Sequence, residues 1–228
     1  MNNVICFWWG NWPRGYEYVT KLRNMVAKNM TIPFKFVCFT DKGLCDHDEI
    51  EFRRIPQEVV DWERNLTKFW MYSPDSDLSG RVICMDLDTV IVSNIDDLLS
   101  YSGSWCGVYP IRYEKEGVQD PTHAGGLISF VYEEFTWVWD KMNSWDTKMR
   151  IEVAGKERFA NQIIFNESGA KPDHWNYPKK HPQFWSYKAH IKRHLNGKLP
   201  RGAGFVTFHG NPRPHEVEEI PWVRKHWR

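Results

Sequence analysis

Residues 81–92 read R-V-I-C-M-D-L-D-T-V-I-V, the most apolar window of the chain, and two aspartates stand inside it. An unbroken run of branched apolar residues predicts a central strand covered on both faces. Asp86 and Asp88 are costly there, because a carboxylate buried in a sheet must be paired or hold a cation. Alternate residues of a strand share a side. An Asp-x-Asp at the strand's end therefore presents both carboxylates to one hard divalent ion. A strand-end turn that merely solvates both groups is the plainer alternative.

The flanking sequence sets that strand in an α/β pattern. Residues 4–9 form an apolar run that ends at Gly10, a first strand. Residues 15–30 have helical spacing, with Tyr18, Leu22, Met25 and Val26 on one face. Residues 34–40 predict a second strand, stopped by Asp41-Lys42-Gly43, and 50–55 a third. Pro56 opens a helix reaching to about residue 72, with Val59, Trp62, Leu66, Phe69 and Trp70 as its stripe. After a polar loop at 74–80 comes the aspartate strand, then a helical turn at 95–99. Strands are expected at 105–110 and 126–132, helices at 133–143 and 156–165, and a last strand at 205–209. Residues 172–201 show no clear period. The alternation predicts an α/β fold with a mixed, mainly parallel sheet flanked by helices. Neither a repeat nor a linker interrupts it, so the 228 residues read as one domain. Its nucleotide-binding half would be about 1–100 and its sugar and acceptor half about 101–228.

Charge and composition remove several function classes. Thirty basic residues face 29 acidic ones, without the basic excess of a nucleic-acid binder, although the last fifth of the chain is basic. Thirteen tryptophans mostly serve packing and point only weakly to a sugar or nucleotide partner. Five cysteines, an odd number with no CxxC, fit a reduced, cytoplasmic protein. No stretch reaches the ~20 apolar residues of a membrane span, and no leader pattern opens the chain. Peripheral membrane contact stays open.

Two chemistries use an Asp-x-Asp in this context. Phosphatases of the haloacid-dehalogenase type end a strand in Asp-x-Asp with a threonine close behind, as Asp86, Asp88 and Thr89 do. Asp86 would then be the nucleophile toward phosphate. That motif belongs on a first strand and needs a later acidic pair, whereas here three strands precede it and Asp96-Asp97 comes too early. A metal-dependent glycosyltransferase instead places the pair in mid-domain and a histidine near its C-terminus. F-V-T-F-H-G-N-P-R-P-H-E at 205–216 supplies one. His209 would bind manganese or magnesium beside the carboxylates, and Arg213 would neutralise diphosphate charge. A histidine that caps a turn is the alternative.

With F-W-W-G-N at 7–11, F-T-D at 39–41, C-M-D-L-D-T at 84–89 and F-H-G-N-P-R-P at 208–214, the chain resembles small GT-A glycosyltransferases. It is similar in particular to the retaining family of glycogenin and the bacterial lipopolysaccharide galactosyltransferases. The resemblance implies a GT-A fold and a UDP-hexose donor, UDP-glucose ahead of UDP-galactose. It also implies Mn2+ or Mg2+, and transfer with retention to an unidentified hydroxyl acceptor. Asp86, Asp88 and His209 would hold the metal, and Arg213 would contact the departing diphosphate. The family usually has lysine where Arg213 stands, a planar fork in place of a point charge. Trp8, Trp9, Gly10, Asn11, Thr40 and Asp41 would seat the base. Leu87 and Gly210 would line the donor beside the metal ligands. Lys68 would reach the donor from its helix, or else be a solvated helical lysine. His123-Ala124-Gly125-Gly126 would line the sugar pocket, or be a simple bend. Asn161 and Gln162 would stand near the anomeric carbon, or be an ordinary helix-surface pair. The basic, aromatic stretch 175–194 would wall the acceptor.

Overall fold

The structure, a computed structural model, describes residues 2–62, 64–96, 100–108, 124–153, 157–170, 172–175 and 183–228. His123 and the ends of the expected elements 95–99 and 105–110 lie outside the described residues, as does part of the acceptor stretch 175–194.

Ten strands are described: β1 (Asn2–Trp8), β2 (Phe34–Thr40), β3 (Glu51–Arg54), β4 (Arg81–Met85), β5 (Thr89–Ile91), β6 (Trp105–Val108), β7 (Ala124–Val131), β8 (Asp173–His174), β9 (Phe184–Ser186) and β10 (Phe205–Thr207). Seven of them make one sheet in the order β3-β2-β1-β4-β7-β6-β8. The first four neighbours run parallel, β7 runs antiparallel to both β4 and β6, and β8 is parallel to β6. The sheet is thus mixed and mainly parallel, as expected.

Period-two alternation explains why this sheet is covered twice. Val4, Cys6, Phe36, Cys38, Ile83 and Met85 point to one side, where helix α1 (Gly15–Asn29) packs through Tyr18, Leu22, Met25 and Val26. Ile5, Phe7, Val37, Phe39, Val82 and Cys84 point to the other. There they meet Leu66, Phe69 and Tyr72 of a 3-10 helix (Arg64–Tyr72) and the helix Glu157–Ser168. Three layers result, with the carboxyl ends of β1, β2 and β4 at one edge. All five cysteines are free thiols.

Two expectations are corrected. The window 81–92 is not one strand. β4 ends at Met85, the chain turns through residues 86–88, and β5 leaves to join β10 and β9 in a second, three-stranded sheet. The turn carries both carboxylates out of the ladder and leaves Asp86 partly exposed, while Asp88 stays buried. The helix expected from Pro56 onward is also broken. Helix α2 covers only Gln57–Val60, and the chain then rewinds as the 3-10 helix. Leu66, Phe69 and Tyr72 recur every third residue, the period of that tighter helix, and all three are buried.

Two further differences are smaller. A helix at Thr147–Val153 has no counterpart in the sequence reading. The aperiodic stretch 172–201 contains β8, β9 and a π-helical turn, Tyr187–Lys192.

Candidate active site

The second sheet assembles the site. In its antiparallel ladder Thr89 stands opposite Thr207, so the residue before β5 meets the residue after β10. The Phe208 N–H donates to the Asp88 carbonyl at 2.8 Å. His209 follows directly, so the backbone that carries the histidine is joined to the aspartate turn over a hundred residues earlier in sequence. Phe208 is fully buried and stacks on Tyr187 at 4.4 Å, which fixes the chain just ahead of His209.

Asp86 is tied to the large sheet. Its N–H donates to the Gly126 carbonyl on β7 at 3.1 Å. Its Oδ1 accepts a hydrogen bond from Lys68 Nζ at 2.5 Å. Lys68 is only 6% exposed, so the reading of a solvated helical lysine is overturned. The 3-10 winding turns it inward onto the carboxylate.

Asp88 is buried, and its carboxyl pKa is pushed up to about 8. Burial is the main cause and the negative charge of Asp86 the second; Lys68 and Arg213 oppose both. His209 is held below the usual imidazole range, by burial first and by the nearby Lys188 second. Its Nε2 lies 3.4 Å from the Ser186 hydroxyl. A neutral imidazole and two mutually repelling carboxylates are the donor chemistry of a hard divalent cation. As they stand, no three His, Cys, Asp or Glu side chains among the described residues are close enough together to hold a metal ion. The donor set fits such a cation by chemistry, with Asp86 now neutralised by Lys68.

Arg213 lies where an anion would meet it. Its guanidinium stacks on Trp12, 4.1 Å from the ring centre. Nε and Nη1 are both buried without a hydrogen-bond partner. Buried donors of this kind are costly until an acceptor arrives, and a phosphate oxygen is the natural one. Behind it, the Tyr18 hydroxyl and His215 Nδ1 share a hydrogen bond of 2.5 Å. Sequence reasoning gave no site role to Trp12, Tyr18 or His215, and placed Lys188 only within the acceptor stretch 175–194. The aromatic loop F-W-W-G-N-W and the second histidine of the C-terminal element were the available signals.

The remaining candidates divide by location. Trp8, Trp9, Gly10 and Asn11 leave the carboxyl end of β1, while Thr40 and Asp41 close that of β2. The Gly10 N–H donates to Asp41 Oδ2 at 2.9 Å and stitches the two loops together. Gly10 does so at φ +61°, a conformation that favours glycine. Trp8 and Trp9 are half-buried and Asn11 is exposed, whereas Thr40 is fully buried and bonds the Lys42 N–H through its hydroxyl. Leu87 turns its side chain into the core, which leaves only its backbone for a ligand. Gly210 has φ +71°, and a Cβ there would come within 3.1 Å of Lys188 Nζ. Asn161 lies 1% exposed on the helix Glu157–Ser168, so it is not a surface residue. The Gln162 side chain lies outside the described residues.

Gly125 and Gly126 lie within β7, not at a bend before it. A Cβ on Gly126 would sit 3.5 Å from Asp86 Oδ2, an ordinary contact. Gly126→Ala is therefore expected to fold and to gain about 0.4–1 kcal/mol through a stiffer unfolded chain. The added methyl occupies the space beside Asp86, so any ligand that reaches this carboxylate should bind less tightly while the unfolding midpoint rises. Unchanged affinity would remove Gly126 from the ligand's path.

No protein-family model and no curated protein matches the sequence. Solved structures match over nearly all of it. A galactosyltransferase, LgtC, in complex with donor and acceptor sugar analogues, aligns with 98% of this chain and 93% of its own, at TM-score 0.65 and 11% identity. An active-site mutant of LgtC aligns over 98% and 95%, at TM-score 0.62 and 12% identity. The fold is the GT-A type implied by the sequence resemblance.

Proposed function

We propose that this chain is a glycosyltransferase that moves a hexose from a UDP-sugar to an acceptor hydroxyl with retention, using a divalent cation held by Asp86, Asp88 and His209. The observation that carries this reading is the pair of unpartnered buried donors on Arg213, a charge that also bears on the buried Asp88. A diphosphate satisfies both needs: its negative charge suits the cation and its oxygens suit the guanidinium. The whole-chain likeness to a galactosyltransferase supports it. The phosphatase alternative has no such support in the fold.

In the reaction the bond from the anomeric carbon to the diphosphate breaks, and its electron pair leaves with the nucleoside diphosphate. The acceptor oxygen forms the new bond and gives up its proton to an oxygen of the departing diphosphate. A bound divalent cation would lower the charge on the leaving group. Arg213 would hold that group through Nε and Nη1. Lys68 would keep a fixed positive charge against Asp86 before the donor arrives. The loops after β1 and β2, joined through Gly10 and Asp41, would seat the base.

A thermal-shift series with UDP, GDP and CMP, each with and without manganese, tests this. Stabilisation by UDP only when manganese is present is the expected result, since a ligand that binds only the folded chain raises its stability. No response to any nucleotide would refute the reading. Proton NMR of the product's anomeric signal then reads retention against inversion.

A further inference from the structure

Beside His209, on the side of the π-helical turn, lies a recess of about 460 Å3 lined by Lys188, Ala189, Lys192, Arg193 and His209. The recess is shallow and open to solvent, with Lys192 and Arg193 exposed at its rim. Three of its five lining residues are cationic, and none of the three has an acidic partner among the described residues. Three such cations at one recess repel one another, and an anion relieves that cost.

The turn explains how they are presented. Tyr187 and Ile191 are buried and anchor the π turn to the core, which leaves Lys188 and Lys192 facing outward. π turns of this kind gather at functional sites. Ser186 couples the turn to the active site. Its hydroxyl accepts the Ala189 N–H at 3.1 Å and lies 3.4 Å from His209 Nε2. The recess is thereby fixed relative to the proposed donor site.

We propose that this recess is the acceptor subsite and that the acceptor sugar carries a phosphate or carboxylate held by Lys188, Lys192 and Arg193. The proposal rests on the transferase reading for the word acceptor. The anionic binding itself does not.

Binding of glucose 6-phosphate, glucuronate and methyl glucoside is measured by calorimetry with manganese and UDP saturating, which occupies the donor diphosphate site. Saturable binding of the two anionic sugars, at least tenfold tighter than the neutral one and weakening with salt, is the expected result. The double charge reversal K192E/R193E should weaken that binding by about tenfold. Its unfolding midpoint shows whether the variant folds, and the wild-type comparison of charged with neutral sugars stands without it. Equal binding of all three sugars, no saturable binding, or binding that survives the charge reversal overturns the proposal. So does anionic binding seen only when UDP is omitted. Absence of any UDP response, with anionic sugars still bound in the recess, would instead refute the donor reading alone.

Discussion

Asp88→Asn is expected to abolish transfer and, in the same protein, to raise the unfolding midpoint of the metal-free chain at pH 8. Both effects come from one carboxyl group. In the folded chain its pKa stands at about 8, well above the ordinary aspartate value of 3.8. Between those pH values the unfolded chain has lost the proton and the folded chain has kept it. The folded state binds more protons, so stability falls as pH rises through that window. The loss amounts to on the order of 5 kcal/mol across the window. Asparagine does not titrate and escapes it. At pH 5 the two proteins should unfold within a few degrees of one another. At pH 8 the variant should lead by roughly 10 °C. Manganese with UDP should stabilise the wild type and leave the variant unmoved, and turnover should drop about a thousandfold. A variant that is less stable than wild type at pH 8 would show that the buried carboxyl is not a burden.

Lys68→Met makes the opposite trade. Lys68 is almost wholly enclosed, while the Asp86 side chain keeps 33% of its surface in contact with solvent. Removing the ammonium leaves Asp86 facing Asp88 with one neutralising charge fewer. A loss of about 1–3 kcal/mol follows, or a fall in Tm of roughly 5 °C. The double variant K68M/D86N removes both partners and should recover most of that loss; a double-mutant cycle measures the coupling directly. A methionine variant as stable as wild type, with no coupling to Asp86, would make the ion pair incidental.

How much of this could be read from the sequence depends on where each element gets its instructions. β1 and β2 were legible because their apolar runs are local and end at turn residues, Gly10 and Asp41. The break between β4 and β5 was not, because V-I-C-M and T-V-I-V are equally apolar. What splits them is the pairing of Thr89 with Thr207, a contact no local pattern carries. The aspartates and His209 were legible as residue types out of place among oily neighbours. The inward turn of Lys68 was not, since it follows from a 3-10 winding that an α-helical reading of residues 57–72 could not supply. The role of Trp12, and the place of Lys188 beyond its general assignment to the acceptor stretch, were hidden for a related reason. Each gains its meaning only from the residue it meets, Arg213 in one case and the His209–Gly210 turn in the other.

The two sheets do not share the ligands equally. Asp86 is fastened to the large sheet through Gly126, while Asp88 and His209 ride on the small one through Phe208. Under the proposed function, a divalent cation held by the three would therefore bridge the two sheets, and its binding would report on how they are joined as well as on the ligand.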